Sequence, residues 1–397
     1  MQRECFVYKV LTLNNIAKVG LAKLPAAGYQ IANDVKEPDA ILVRSANMHA
    51  VDIPANLKAV GRAGAGVNNI PVAKMSAKGI PVFNAPGANS NAVKELVVAG
   101  LILACRQICE AWDFAKGLEG SDEEISKAVE AGKKNFAGYE LPGRTLGVIG
   151  LGAIGRLVAN TAVGLGMNVI GFDPGLTVEG AWALSSNVRK ARSMDEVFRE
   201  SDFLTVHVPL VDATRKLVNA ERLAAMKKGV VILNFAREGI VDDQAVVDAI
   251  DEGHVHGYIS DFPTNITKNH RRCVTLPHLG ASTAEAEDNC AIMVADQVRD
   301  FLENGNVKNA VNFPEVVVPR RTAHRLVLAN ANVPNMLGQI SEVFGSGGLN
   351  IHDMVNSSKG ELAYTVVDLD APVPDAVVTQ LSAIKGVLMV RLIDSPK

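Results

Sequence analysis

From Thr145 onward the chain alternates short β-rich runs with helical stretches, and no other feature restricts the fold as much. The pattern predicts strands at 146–149, 168–172, 203–207, 230–234, 256–259 and 274–276, with helical segments between most of them. Repeated β-α units imply strands that run parallel in one sheet, with helices on both faces. The first third reads the same way. Residues 40–45 and 80–84 predict buried strands, and the loop at 61–69 (GRAGAGVNN) carries glycines that let backbone N–H groups approach a ligand. The apolar run 96–105 predicts a buried helix, and 121–134 a polar surface helix. The stretch 304–321, with Pro314, Pro319 and a basic pair, reads as a linker. Beyond it the rhythm becomes β-α-β-β-α-β: a strand at 325–330, a helix at 335–346, a hairpin around 357–360, a helix at 375–384 and a strand at 387–393.

Composition narrows the function. A chain of 397 residues is too long for one ordinary core and predicts two or three domains. A net charge of −3 excludes a broad basic face for nucleic acid, and 5% aromatics argues against stacking platforms for single strands. Any bound anion must be caught by a local cluster. The apolar run 96–105 is about half the roughly twenty residues that a membrane span requires. Strand-like residues follow Met1–Cys5 where a signal peptide would have its apolar region. The five cysteines contain no CxxC pair and read as reduced thiols of a cytoplasmic protein. No histidine has the spacing of a metal site.

Three segments carry chemistry. Gly150-Leu151-Gly152-Ala153-Ile154-Gly155 is a GxGxxG motif placed between a predicted strand and a helix, with Asp173 eighteen positions past its last glycine. Gly150 makes the tight turn, Gly152 lets the backbone touch a pyrophosphate, and Gly155 lets the helix pack closely. Asp173 would accept bonds from ribose hydroxyls and repel a 2′-phosphate, which favours NAD over NADP. Arg237 and His278 each lie in a loop directly after a strand, at the sheet edge where ligands of open α/β sheets bind. A guanidinium can grip a carboxylate in a fork, and an imidazole can take a hydroxyl proton. Together these are the needs of a 2-hydroxy-acid oxidation.

The segments VRSA (43–46), GRAGAGVNN (61–69), GIPVFNAPGANS (79–90), GLGAIG (150–155), NFAREGIVD (234–242) and PHLGAST (277–283) resemble the D-isomer-specific 2-hydroxyacid dehydrogenases, in the family's order. The resemblance implies a flavodoxin-like substrate domain of residues 1–95 with a return segment at 283–312. A Rossmann nucleotide domain of residues 96–282 would be inserted in it. It implies NAD as cofactor, a small phosphorylated 2-hydroxy acid as substrate, and oxidation of 3-phospho-D-glycerate to 3-phosphohydroxypyruvate, the first step of serine biosynthesis. Arg237 falls on the family's carboxylate-binding arginine and His278 on its acid/base. Ala153, Ile154, Asp173, Phe235 and Asp261 fall on dinucleotide contacts. Arg44, Arg62, Gly64, Gly66 and Val67 fall on substrate-domain positions. One departure stands out: most relatives supply a glutamate that pairs with the catalytic histidine, and the segment Ser260-Asp261-Phe262-Pro263-Thr264-Asn265-Ile266 has none. Either Asp261 serves that purpose too, or His278 works with its cation less stabilised; the second is the expectation here.

Residues 322–397, with ANVPN (331–335) and GLNIHDM (348–354), resemble an ACT domain. That implies a regulatory module, a homodimer or homotetramer, and L-serine as effector at Asn330, Asn332 and Asn350. Two alternatives keep the fold. One changes the substrate to glycerate, glyoxylate or lactate; the other is a non-catalytic NAD-sensing protein that binds nucleotide without turnover.

Overall fold

The structure, a computed structural model, describes residues 7–393 and divides into two compact units. One runs to Asn89 and resumes at Ala284; the other is Ser90–Thr283. The first opens with a parallel sheet of β1 (Tyr8–Leu13), β2 (Tyr29–Ala32), β3 (Ala40–Val43), β4 (Ala59–Arg62) and β5 (Val82–Phe83), in the order β2-β1-β3-β4-β5. β3 is buried at all four positions. An unbroken apolar run is what a strand covered on both faces requires. Phe6 and the residues before it lie outside the described residues.

The second unit holds β6 (Thr145–Ile149), β7 (Asn168–Phe172), β8 (Val188–Lys190), β9 (Phe203–Val206), β10 (Val230–Asn234), β11 (Val255–Ser260) and β12 (Cys273–Thr275). All seven are parallel, in the order β12-β11-β10-β9-β6-β7-β8. Strand order reverses between β6 and β9, which creates the crevice where ligands of such sheets sit. The predicted strands all appear, β7 and β10 at the expected bounds. β8 was not expected: it is three residues long, mostly exposed and at the sheet edge, so it carries no apolar signal. The apolar run 96–105 lies within the helix Ser90–Arg106, whose inner face is buried. Ser121 and Glu124 form a capping box that starts the surface helix Asp122–Gly132.

The first unit then resumes with the helix Ala284–Asn304 and a four-stranded antiparallel sheet. Its strands are β13 (His324–Ala331), β14 (Ile351–Lys359), β15 (Leu362–Leu369) and β16 (Val387–Ile393), in the order β14-β15-β13-β16. Leu326, Leu328 and Val367 pack against Ile340, Phe344 and Leu381 of the helices Met336–Ser346 and Asp375–Ala383. The expected β-α-β-β-α-β module is therefore present.

The linker is not. Val307, Phe313, Val316 and Val318 are buried, in one core with Val327, Tyr364 and Ile393 of the module and Phe83, Phe301 and Leu302 beside it. Arg325 is 1% exposed, makes a two-pronged pair with Asp368 at 2.7 and 2.9 Å, and donates to the carbonyls of Asn304, Val318 and Pro319. Tyr364 donates to Gly305 O at 2.7 Å, and Arg391 to the carbonyls of Leu302 and Phe301. The prolines and basic pair suggested a tether; the alternate apolar residues between them bind the segment into the core. Among the described residues no helix is long and apolar enough to cross a membrane.

Candidate active site

Three neighbouring strands each deliver one polar residue at their carboxyl ends. Arg237 follows β10, Asp261 follows β11 and His278 follows β12. The ladder continues past the strands and ties the loops together. Asp261 N donates to Asn234 O at 3.1 Å, Leu276 N to Ser260 O at 2.8 Å, and His278 N to Asp261 O at 3.1 Å. Asn234 is buried, and its amide braces the arginine turn: Nδ2 donates to Arg237 O at 3.0 Å, and Oδ1 accepts from Ala236 N at 3.2 Å. The Arg237 side chain is exposed, with a bond to its neighbour's carbonyl, Ala236 O, at 2.7 Å.

His278 has φ of +55°, a left-handed conformation that is strained for a residue with a side chain. What holds it is Asp261, 1% exposed, whose Oδ1 accepts from Leu279 N at 2.7 Å and Oδ2 from Gly280 N at 2.8 Å. The carboxylate thus clamps the backbone just after His278. No carboxylate is bonded to the imidazole itself among the described residues; the ring meets Phe262 edge to face, centroids 5.1 Å apart. Asn265, in the segment that lacks the glutamate, is exposed. Thr264, in the same segment, donates to Asp243 Oδ2 at 2.9 Å, and burial pushes the Asp243 carboxyl above its usual range.

The glycine motif forms the turn between β6 and the helix Ala153–Gly164. Gly150 has φ of +90°, and a Cβ on Gly155 would lie 1.9 Å from Gly150 O, so neither position admits a side chain. A Cβ on Gly152 would meet nothing within 4 Å: the backbone there faces open space. Ala153 is exposed and Ile154 half-buried at the start of the helix. Asp173, one residue past β7, accepts from Leu151 N and from Gly175 N, both at 2.8 Å. Beside it opens a cavity of about 1200 Å³ lined by Leu151, Pro174, Leu176, Trp182 and Arg192. A cradle open to solvent, a helix N-terminus and a carboxylate at the next strand suit a dinucleotide. Phe235 differs from the expectation in one respect. Its ring is 4% exposed and packs under the helix Ser90–Arg106, which leaves only its backbone for a ligand.

In the other unit Arg44 and Arg62 sit at the carboxyl ends of the paired strands β3 and β4, and Arg62 Nε donates to Arg44 O at 3.1 Å. A Cβ on Gly64 would lie 1.5 Å from Arg62 Nη1, so Gly64 makes room for the guanidinium. Gly66 and Val67 follow in the same half-buried loop. Glu287, which sequence reasoning missed, pairs with Arg44 at 2.6 Å. The three module asparagines do not converge. Asn330 and Asn332 lie at one end of β13, while Asn350 precedes β14 beside Asp370 at the other, roughly 20 Å along the sheet. Asn330 is buried and its Oδ1 has no partner among the described residues; Asn332 Nδ2 donates to Gly360 O at 3.0 Å. Asn234 and Phe262 also escaped the sequence reading. The signal for Asn234 was one polar residue closing an otherwise apolar strand.

Comparison with known proteins agrees with this geometry. Residues 103–280 match the family model "D-isomer specific 2-hydroxyacid dehydrogenase, NAD binding domain". The chain is 30% identical to the D-3-phosphoglycerate dehydrogenase of Escherichia coli (strain K12), over 97% of each chain. It is 35% identical to that of Methanocaldococcus jannaschii over 86% of its own length, and spans 63% of that longer relative. Among solved structures, an NAD+-bound 3-phosphoglycerate dehydrogenase of Entamoeba histolytica is similar with a TM-score of 0.60 and 26% identity, covering 77% of this chain and 99% of that one.

Proposed function

The chain belongs to the D-isomer-specific 2-hydroxyacid dehydrogenase family, and from that premise we propose that it oxidises 3-phospho-D-glycerate to 3-phosphohydroxypyruvate with NAD, the entry step to serine. The observation that carries this reading is the row of Arg237, Asp261 and His278 on three adjacent strand ends, in the unit that holds the glycine turn. Bound NAD supplies the hydride acceptor. Arg237 holds the carboxylate of the acid in a two-pronged fork, so that the hydroxyl-bearing carbon is fixed. The His278 imidazole takes the hydroxyl proton as the hydride leaves that carbon, and returns it in the reverse direction. Asp261 keeps the His278 loop in its strained shape. Arg44 and Arg62 supply the positive charge for the phosphate, which a chain of net charge −3 must provide locally.

Residues 1–95 with 283–312 form the substrate domain of this reading, residues 96–282 the NAD domain, and residues 322–397 a regulatory module in a cytoplasmic enzyme. L-serine is the proposed effector. The separation of Asn350 from Asn330 and Asn332 supports a site completed by a second copy, in a homodimer or homotetramer. The exposed Trp112 and Ile108 offer apolar surface for such an assembly.

The test is an absorbance assay of NADH formation with a panel of 2-hydroxy acids. Turnover of 3-phospho-D-glycerate well above glycerate and lactate is expected, and Arg44→Ala should lower kcat/KM only toward the phosphorylated acid. Equal loss toward glycerate and lactate would move the assignment to a non-phosphorylated substrate, and nucleotide binding with no turnover would end it.

A further inference from the structure

The His278 side chain is exposed, so burial does not fix the direction of its ring. Among the described residues the imidazole bonds to no side chain, and its one aromatic contact is Phe262, with centroids 5.1 Å apart and planes at 63°. The backbone under both rings is tied down. His278 N donates to Asp261 O at 3.1 Å, and the Asp261 carboxylate holds Leu279 N and Gly280 N. Phe262 is the residue next to Asp261, and its N donates at 3.1 Å to Oγ of Ser260, which is fully buried at the end of β11. Pro263 then steers Phe262 away from helical backbone. Beyond it Thr264 N donates to Oγ1 of the buried Thr267 at 3.2 Å, while the Thr264 hydroxyl reaches Asp243. The two rings therefore meet because both loops are anchored to the same stretch of chain.

An imidazole on an open loop turns about two side-chain bonds, and a proton passes only while nitrogen and hydroxyl are aligned. A phenyl ring can restrict that rotation without a hydrogen bond, since it bars one side of the imidazole and tilted ring pairs favour a narrow range of geometries. Being uncharged, it holds the neutral base and the protonated acid alike, which suits a group that takes a proton in one direction and returns it in the other. We propose that Phe262 is a positioning residue for the reaction, its ring fixing the plane of the His278 imidazole for proton transfer. This rests on the dehydrogenase reading above and adds to it the group that orients the base.

Single-turnover stopped-flow measurement of NADH formation from 3-phospho-D-glycerate tests it, in the wild type, Phe262→Leu and Phe262→Tyr. Leucine keeps apolar bulk and removes the ring; its rate should fall roughly three- to tenfold, with KM and NADH affinity held. Tyrosine keeps the ring and should restore most of the rate. The fall should be the same at every pH, leaving the shape of the pH–rate profile unchanged. A second readout needs neither substitution nor turnover: in deuterated wild type with protonated Phe and His side chains, cross-relaxation between the Phe262 and His278 rings should be seen by NMR. Absence of that signal, an unchanged rate in Phe262→Leu, or a Phe262→Tyr as slow as Phe262→Leu would overturn the role. A histidine limb displaced by a unit or more in Phe262→Leu would also overturn it, because the ring would then act on charge and not on position. A wild type that turns over no 2-hydroxy acid would instead overturn the dehydrogenase reading, and this role with it.

Discussion

The strand-end positions of Arg237 and His278 could be read from the sequence because each follows a short β-rich run within a few residues. The duty of Asp261 could not, because it depends on a backbone angle. The clamp on Leu279 N and Gly280 N exists only when His278 takes φ of +55°. Replacement of Asp261 by asparagine should therefore lower kcat by about tenfold through loss of position, and leave the histidine pKa in the pH–rate profile where it was. A fall of one unit or more in that pKa would mean that the carboxylate acts on the imidazole charge instead. Arg237→Lys keeps the charge and removes the fork; kcat/KM should drop on the order of 100-fold while NADH affinity holds, measured by steady-state kinetics and calorimetry. His207 adds a dependence on acid. Its folded pKa of about 4 lies below the ordinary 6.5, so the folded state binds fewer protons than the unfolded one between those values. The stability it contributes is complete above about pH 6.5 and is lost as pH falls toward 4. Across that window the Tm of the wild type should fall more steeply than that of His207→Asn.

Strands buried on both faces, such as β10, were plain in the sequence because every position before the closing Asn234 had to be apolar. β8 was not, since an edge strand of three mostly exposed residues has no pattern to display. The segment 304–321 misled for a related reason: prolines mark where regular structure stops, and say nothing of whether the chain leaves the core. What fastens it is Arg325, a charge at the start of β13 whose partner, Asp368, lies 43 residues away. A charge left alone in that interior is unfavourable, so Arg325→Met should destabilise the fold by about 3–5 kcal/mol in urea unfolding. Joint replacement with Asp368→Leu should recover much of that loss, because no unpaired ion then remains. If the single substitution proves neutral, the pair is not what anchors the segment.

Within the unit formed by the two chain ends, the C-terminal module shares its hydrophobic core with the first sheet and the helix Ala284–Asn304. Sequence patterning showed the module's own rhythm but not this fusion, because nothing local distinguishes a sheet face that meets solvent from one that meets another sheet. A chain ending at residue 321 would bare Phe301, Phe313 and Val307 and leave the carbonyls of Phe301, Asn304 and Gly305 without their side-chain donors. Such a truncation should aggregate, or melt many degrees below the full chain by calorimetry; an unchanged Tm would mean that the module is an independent appendage. The carbonyl-capping donors Arg325, Tyr364 and Arg391 thus have an evolutionary consequence. Recombination that swapped this tail for another of the same topology would bring a stranger's side chains to those carbonyls, so such an exchange should succeed only where the incoming tail supplies equivalent donors.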